Sequence, residues 1–456
     1  MASRPHPHPD PLPKGEGTRG TSHSSRARAA AEPSDDALLD RLQRAAFDYF
    51  LQTVNPQNGL IADTTRDGAP SSIAVVGFAL SAYPIGVEHG WIERADAVER
   101  TLAVLRFFSG SDQSGSPDAT GYRGFYFHFL DMRSGARTWQ SEVSLIDTGF
   151  LMAGVLTAAA YFSAETPAES ELRRLADALY RRVDWRWAQR DSSAVMHGWK
   201  PECGFLHYGW EGYSEAILLY VLGLGSPTHP LSDHSFPAWT VTYQWENLYG
   251  YDFLYAGPLF IHEFSHAWID FRGIRDAFMR EKDCDYFENS RRATYVQREY
   301  ATRNPRSFEG YAADCWGLSA GEGPSAPPRL VAGRRQAFYG YAARGVPYGP
   351  DDGTIAGSSV LSSLVFAPEI ALPALRKLVA RGPTDAGELV RASGFNRTLG
   401  EAGPNGWISP GAFGLDQGMI VLMIENYRSG LLWRLGRGNP HIRSGLRRAG
   451  FRGGWL

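Results

Sequence analysis

The chain has 456 residues, 43% hydrophobic and 21% charged, the make-up of a soluble globular protein with one large domain or two to three ordinary ones. The 46 Lys and Arg against 49 Asp and Glu leave a net charge of −3, so there is no basic footprint for nucleic acid, and no run of about 18 apolar residues offers a membrane span. Aromatics reach 13%, with 13 Trp and 21 Tyr, more than core packing needs; the odd count of three cysteines, Cys203, Cys284 and Cys315, argues against a disulfide framework and has no metal-ligand spacing.

Residues 1–35 are rich in Pro, Gly, Ser, Arg and His, with almost no large apolar residue, and are expected to be disordered. They contain no apolar h-region, so the chain as written reads as cytoplasmic; a misassigned start would allow a periplasmic one. From Asp35 onward the texture is helical, and 36–456 is expected to form one catalytic domain. Ser34 offers an N-cap to a helix with the apolar spacing of LLDRLQRAAFDYFLQTV. The next helix, through SSIAVVGFALSAYPIGVEHG, is apolar on most of its surface and should be buried. Residues 92–109 are amphipathic, as an outer helix would be. The alternation recurs: 141–163 apolar, 169–187 amphipathic, 212–224 and 253–270 apolar, 286–303 amphipathic. Residues 357–381 hold a buried helix and then an outer one, broken near Pro368; 414–435 are apolar, and 440–450 form a short basic end. Five or six such αα-hairpins, none able to bury its apolar faces alone, predict an all-α fold: an (α/α)6 toroid of inner and outer helices. The connections 110–140, 190–212, 225–252, 304–356 and 393–413 are long, Gly-rich and aromatic, with short strands expected, as at 124–131.

Several constellations could carry chemistry. In the stretch from His197 to Tyr220, Glu211 sits where an irregular loop is expected to become a helix near Gly212, among Trp199, His207, Tyr208, Trp210 and Tyr213. Apolar rings beside a carboxyl raise its pKa, as a general acid requires, and rings also stack on sugar faces. The plainer reading is an acidic helix N-terminus. Glu215 would share its helical face. Ser141 is a plausible N-cap that places Glu142 in the first turn of a buried helix, beside Trp139, and Asp147 lies deeper among apolar residues. A carboxylate there is costly unless paired in a salt bridge or facing a cavity. Asp416, in Gly414-Leu415-Asp416-Gln417-Gly418, either caps the last buried helix or presents a general base, with Asn405 and Trp407 on the rim. His262-Glu263-Phe264-Ser265-His266 matches H-E-x-x-H, and Glu288 could be a third zinc ligand. The helix is apolar on both sides, so the preferred reading turns His262 and His266 to the interior with one near a sugar. The loop with Glu309, Tyr311, Asp314, Trp316 and Glu322 is acidic and aromatic, and supplies either substrate contacts from Glu309 and Trp316 or a packed loop core. There is no Walker-type Gly-Lys-Ser/Thr.

In order, YRGFYFHFLD, TWQSEVSLIDTGFLMAG, WKPECGFLHYGWEGYSEAILLYVLGLGSPTHPL, YAGPLFIHEFSHAWIDFRG, FEGYAADCWGLSAGEGP and GAFGLDQGMIVLMIENYRSGL resemble the bacterial glucoamylase-like proteins that include the endo-β-1,2-glucanases of glycoside hydrolase family 144. The resemblance covers about 37–436. It implies an (α/α)6 barrel that hydrolyses β-1,2-glucan to sophorooligosaccharides without metal or organic cofactor, with Glu142, Asp147 and Glu211 at the family's acidic positions and Asp416 less securely so. A sister linkage or a transglycosylase stays open. The expected mechanism has Glu211 protonate the leaving oxygen while Asp416 or Asp147 activates water, with inversion, in a monomer. Glu142, Trp139, Trp210, His207, Tyr208, Tyr213 and Trp407 would hold the sugar. The rivals are a zinc endopeptidase on His262, His266 and Glu288, and a sugar-binding module without catalysis.

Overall fold

A computed structural model of the chain describes residues 33–381, 390, 392–399 and 406–456. The segment 1–32, most of the stretch read as disordered, and Asn405 lie outside the described residues.

The described chain is mostly helical, with short antiparallel strands. In order the helices are α1 (Asp35–Gln52), α2 (Ile73–Glu88), α3 (Arg94–Gly110), α4 (Leu145–Tyr161), α5 (Pro167–Arg182), α6 (Ile217–Gly225), α7 (Ser235–Thr240) and α8 (Leu259–Glu263). After these come α9 (Ala277–Glu281), α10 (Tyr286–Arg303), α11 (Gly357–Ser362), α12 (Pro368–Arg381), α13 (Gly414–Arg428), α14 (Leu431–Gly438) and α15 (Pro440–Arg448). Short 3-10 turns, Phe264–Ala267 and Ser363–Val365, continue α8 and α11. Among the described residues no helix is long and apolar enough to cross a membrane.

Six helices, α2, α4, α6, α8, α11 and α13, are those the sequence makes apolar on nearly all sides, and they are the buried ones. α2 packs on α4 and α13, α4 on α6, and α11 on both α8 and α13. The Ser265 hydroxyl, on the turn after α8, accepts from Leu218 N at 3.2 Å and so ties α8 to α6. The amphipathic α1, α3, α5, α10 and α12 lie against them with one buried face each. α2 and α4 approach most closely where Gly77 meets Gly154: a Cβ on Gly154 would stand 2.1 Å from the Gly77 carbonyl oxygen, so only glycine allows the two backbones to touch.

Strands gather where these helices begin. A five-stranded antiparallel sheet runs Gly121–Tyr122, Phe125–Phe127, Val143–Ser144, Gly198–Lys200, Gly204–Phe205, and leads straight into α4. Several expected boundaries shift, the first two because strands take up the residues. Val143–Ser144 is spent on sheet pairing, so Ser144, not Ser141, caps α4, and Glu142 lies ahead of the helix. The apolar run from 253 is cut by a hairpin strand (Tyr251–Leu254) and by Pro258, so α8 starts at Leu259. The helix expected from Gly212 starts at Ile217. The run 414–435 is two helices, split at Gly430 with φ +68°.

Candidate active site

The starts of α4 and α13 and the sheet beside them bring acidic groups together. Asp147 lies in the first turn of α4, where exposed backbone N–H groups favour an anion. The cap Ser144 donates its hydroxyl to Asp147 Oδ2 at 2.5 Å and accepts from Asp147 N at 3.3 Å. His128 follows the strand Phe125–Phe127, stacked on Phe129 at 4.0 Å between ring centroids. Its Nδ1 is 3.1 Å from Glu142 Oε1 and its Nε2 is 3.5 Å from Asp147 Oδ2. Burial works against a charge on this imidazole, but the Asp147, Glu142 and Asp63 carboxylates outweigh it and raise its pKa to about 9. It is an imidazolium between two carboxylates at neutral pH. Glu142 is correspondingly lowered: burial opposes this, but His128 and Lys200 hold it ionised.

Three further carboxyls are pushed toward neutrality. Asp63 sits on the loop after α1, and its carbonyl accepts from Gly414 N at 2.8 Å, which docks that loop at the start of α13. Burial raises Asp63, His128 pulls it down and Asp147 pushes it up, leaving it at about 6. Asp416, in the first turn of α13, also reaches about 6: burial raises it, the Ser393 and Ser358 hydroxyls lower it, and Asp63 raises it. Its Oδ1 accepts from Ser358 Oγ at 2.8 Å; its Oδ2 is buried and makes no hydrogen bond. Glu215, on the turn before α6, is raised to about 7 by burial and by Asp147, against a backbone hydrogen bond. The exposed ring of Tyr341 packs on Phe413, its phenol within electrostatic reach of Asp416, Asp63 and Asp147.

Of the residues singled out in the sequence, Glu142, Asp147 and Asp416 therefore share one acidic neighbourhood. Glu211 stands apart from that argument. It is exposed on the loop before α6, neither in a helical first turn nor on one face with Glu215. The rings meant to desolvate it are engaged elsewhere: Trp210 stacks on His197 at 4.0 Å, Trp199 on Tyr122 at 4.7 Å, and Tyr213 on Tyr286 at 5.7 Å. Tyr208 and Trp139 are 72% and 66% exposed, and His207 is exposed beside them. Trp139 and Gln140 both hold positive φ, +55° and +51°, a strained left-handed pair that presents the indole ahead of Glu142. Trp407 is half-buried and Glu309 exposed.

His262, His266 and Trp316 are corrections. All three are buried, at 1%, 2% and 0% exposure, out of reach of a sugar at the surface. Burial takes the His262 pKa down to about 4 and that of His266 to about 3. His262 Nε2 lies 3.1 Å from the Ala256 carbonyl and His266 Nε2 lies 3.1 Å from Ser290 Oγ. Phe264–Ala267 is a 3-10 turn, which removes the α-helical spacing that H-E-x-x-H needs. Glu288 pairs with Arg292 at 2.9 Å. Among the described residues no group of three or more His, Cys, Asp or Glu is placed to hold a metal ion. Gly317-Leu318-Ser319-Ala320-Gly321 has the spacing of a nucleophile elbow, but Ser319 is buried and its hydroxyl accepts from Phe260 N at 3.0 Å. Sequence reasoning passed over Asp63 and His128. Each left a faint trace, a lone charge inside LIADTT and a lone imidazole in the aromatic strand GFYFHFLD.

Residues 207–440, just over half the chain, match the family model described as "Putative glucoamylase". The chain belongs to that family. The matched stretch takes in Glu211, Glu215, Glu263 and Asp416. Among curated proteins the chain is similar to an exo β-1,2-glucooligosaccharide sophorohydrolase (non-reducing end) of Parabacteroides distasonis, 27% identical over 454 residues. That alignment covers 91% of this chain, which spans 58% of the relative's length. Among solved structures it is similar to a putative glucoamylase from Bacteroides uniformis, with a TM-score of 0.82 and 28% identity over 93% of this chain and 99% of that one. It is also similar to an endo-β-1,2-glucanase from Chitinophaga pinensis in complex with sophorotriose and glucose, with a TM-score of 0.78 and 26% identity over 93% of this chain and 100% of that one.

Proposed function

We propose that the protein is a glycoside hydrolase that cleaves β-1,2-glucan by carboxyl acid–base catalysis, at the end of an (α/α)6 toroid whose inner helices are α2, α4, α6, α8, α11 and α13. The observation that carries this reading is a linked group of five carboxyls: Glu142, Asp147 and Asp63 act on one imidazolium, Glu215 is within electrostatic reach of Asp147 and Asp416 of Asp63, and three of the five are raised above the ordinary carboxyl range. Hydrolysis of a glycosidic bond needs one carboxyl that keeps its proton and one that has lost it, and environments that separate their pKa values supply both. The sophorohydrolase and the glucanase named above, both on β-1,2-linked glucose, support the substrate class.

Asp416 is the base: once ionised, its carboxylate can take a proton from water. Glu211 is the acid. It is exposed in the free chain, where a glucan can cover it with Trp139 and Tyr208 as stacking faces. A second reading, favoured by its pKa of about 7 in the free chain, gives the acid's role to Glu215. The test compares Glu211→Gln, Glu215→Gln and Asp416→Asn on linear β-1,2-glucan, with products resolved by size and anomer. Asp416→Asn and one of the two Glu variants should lose at least about a hundredfold in kcat while remaining folded. Wild-type protein that leaves β-1,2-glucan intact sinks the reading; inverted product supports separated carboxyls with a water between them.

A further inference from the structure

Glu263 is a carboxyl that the proposed reaction does not use. It is 1% exposed, at the end of α8, and among the described residues it forms no ion pair. Ser363 donates its hydroxyl to Glu263 Oε1 at 3.0 Å. Burial pushes its pKa well up and the Asp416 carboxyl pushes it further, against the Ser363 and Ser359 hydroxyls. A narrow cavity of about 20 Å³ is lined by both Glu263 and Asp416, with Ser358, Ser359, Ser362 and Tyr341. That is room for about one water molecule, and its walls are polar enough to hold one. Asp416 Oδ2, buried, has no partner.

We propose that Glu263 is a positioning residue: it keeps its proton and donates, through one water in the shared cavity, to Asp416 Oδ2, holding the Asp416 carboxyl ionised and oriented. The inference rests on Asp416 as the base. Asp416 is faced by Asp63 from the loop after α1, by Tyr49 of α1, by Tyr341 and by Glu263. None of these is a cation, so an ionised Glu263 would add a second negative charge beside Asp416 with no positive group to offset it. A neutral carboxylic acid instead offers a hydrogen, the one thing the bare oxygen lacks. No proton changes hands in this arrangement: the Glu263 O–H bond stays intact and only its hydrogen bond shifts the balance at Asp416.

The test uses Glu263→Gln, which keeps a neutral donor of the same shape, and Glu263→Met, which fills the volume without one. Two readouts are taken on the intact chain: the pH dependence of kcat on β-1,2-glucan, and the titration of Asp416 and Glu263 by NMR of 13C-carboxyl-labelled Asp and Glu. Glu263 should titrate well above the ordinary carboxyl range. Glu263→Gln should leave the Asp416 titration within about 0.3 of wild type, while Glu263→Met raises it by about one unit and cuts the rate near pH 6 about fivefold. The inference is overturned if Glu263 titrates below pH 5, if Glu263→Gln lowers the Asp416 titration, or if Glu263→Met leaves it in place. The Glu263 titration needs only wild-type protein, so it decides even if Glu263→Met does not fold. It also separates this inference from the proposed function, whose failure appears as inactive wild-type protein with the carboxyl titrations still readable.

Discussion

Replacing His128 with Gln is the sharpest probe of the acidic neighbourhood. In the folded chain the imidazolium lies between Glu142 at 3.1 Å and Asp147 at 3.5 Å, with its side chain 29% exposed. Its pKa rises from an ordinary 6.5 to about 9. At about 1.4 kcal/mol per pH unit, that gap is about 3 kcal/mol in favour of the charged, folded form. The sign follows from the direction. A raised folded-state pKa gives a contribution that is complete below about pH 6.5 and fades as the pH climbs through about 9. Wild type should therefore exceed His128→Gln in unfolding free energy by a pH-dependent part of about 3 kcal/mol at pH 5.5, about 2 to 3 at pH 7 and less than about 1 at pH 9.5. Repulsion among the carboxyls left behind adds a further cost, which eases toward pH 5.5 as Asp63, at about 6, takes up its proton. Equilibrium urea unfolding at the three pH values measures the difference. A gap that is flat with pH, or that widens toward pH 9.5, refutes the imidazolium between two carboxylates.

Other consequences are read with different instruments. The acid limb of kcat/KM should fall near pH 6, because Asp416 at about 6 must lose its proton to act, and an alkaline limb near pH 7 that disappears in Glu215→Gln would assign the acid to Glu215. Trp139→Ala should raise KM for β-1,2-glucan about tenfold with little change in melting temperature, since the ring is 66% exposed; an unchanged KM removes it from the binding face. Gly154→Ala forces a Cβ to within 2.1 Å of the Gly77 carbonyl and should destabilise the chain by about 2 kcal/mol or more, and a variant with an unaltered urea midpoint would contradict the close crossing of α2 and α4.

Helix identity was legible wherever one periodicity ruled a long segment. α2 and α4 are apolar all round and buried, while α5 and α10 carry one stripe and lie outside them. The break before α12 was marked by Pro368. Helix starts were harder to place. Whether Val143 and Ser144 open a helix or join a strand depends on Phe127 and Trp199, distant in sequence, which pair with Val143. The same non-locality hid two members of the acidic neighbourhood. Asp63 and His128 carry no motif of their own, and they matter because a docked loop and a strand deliver them to Asp147.

The sequence by itself determined that the chain folds as mostly helical, in pairs of buried and amphipathic segments, and that it belongs with the glucoamylase-like proteins. Hydrophobic spacing and long ordered motifs are local properties, and local order preserves them. Only the tertiary structure decided which ionisable groups carry protons. It left Glu211 in solvent, sealed His262 and His266 inside, and set Glu263 behind Asp416. A pKa answers to burial and to charges a few ångströms away, and those distances exist only after residues far apart in the chain have been packed together.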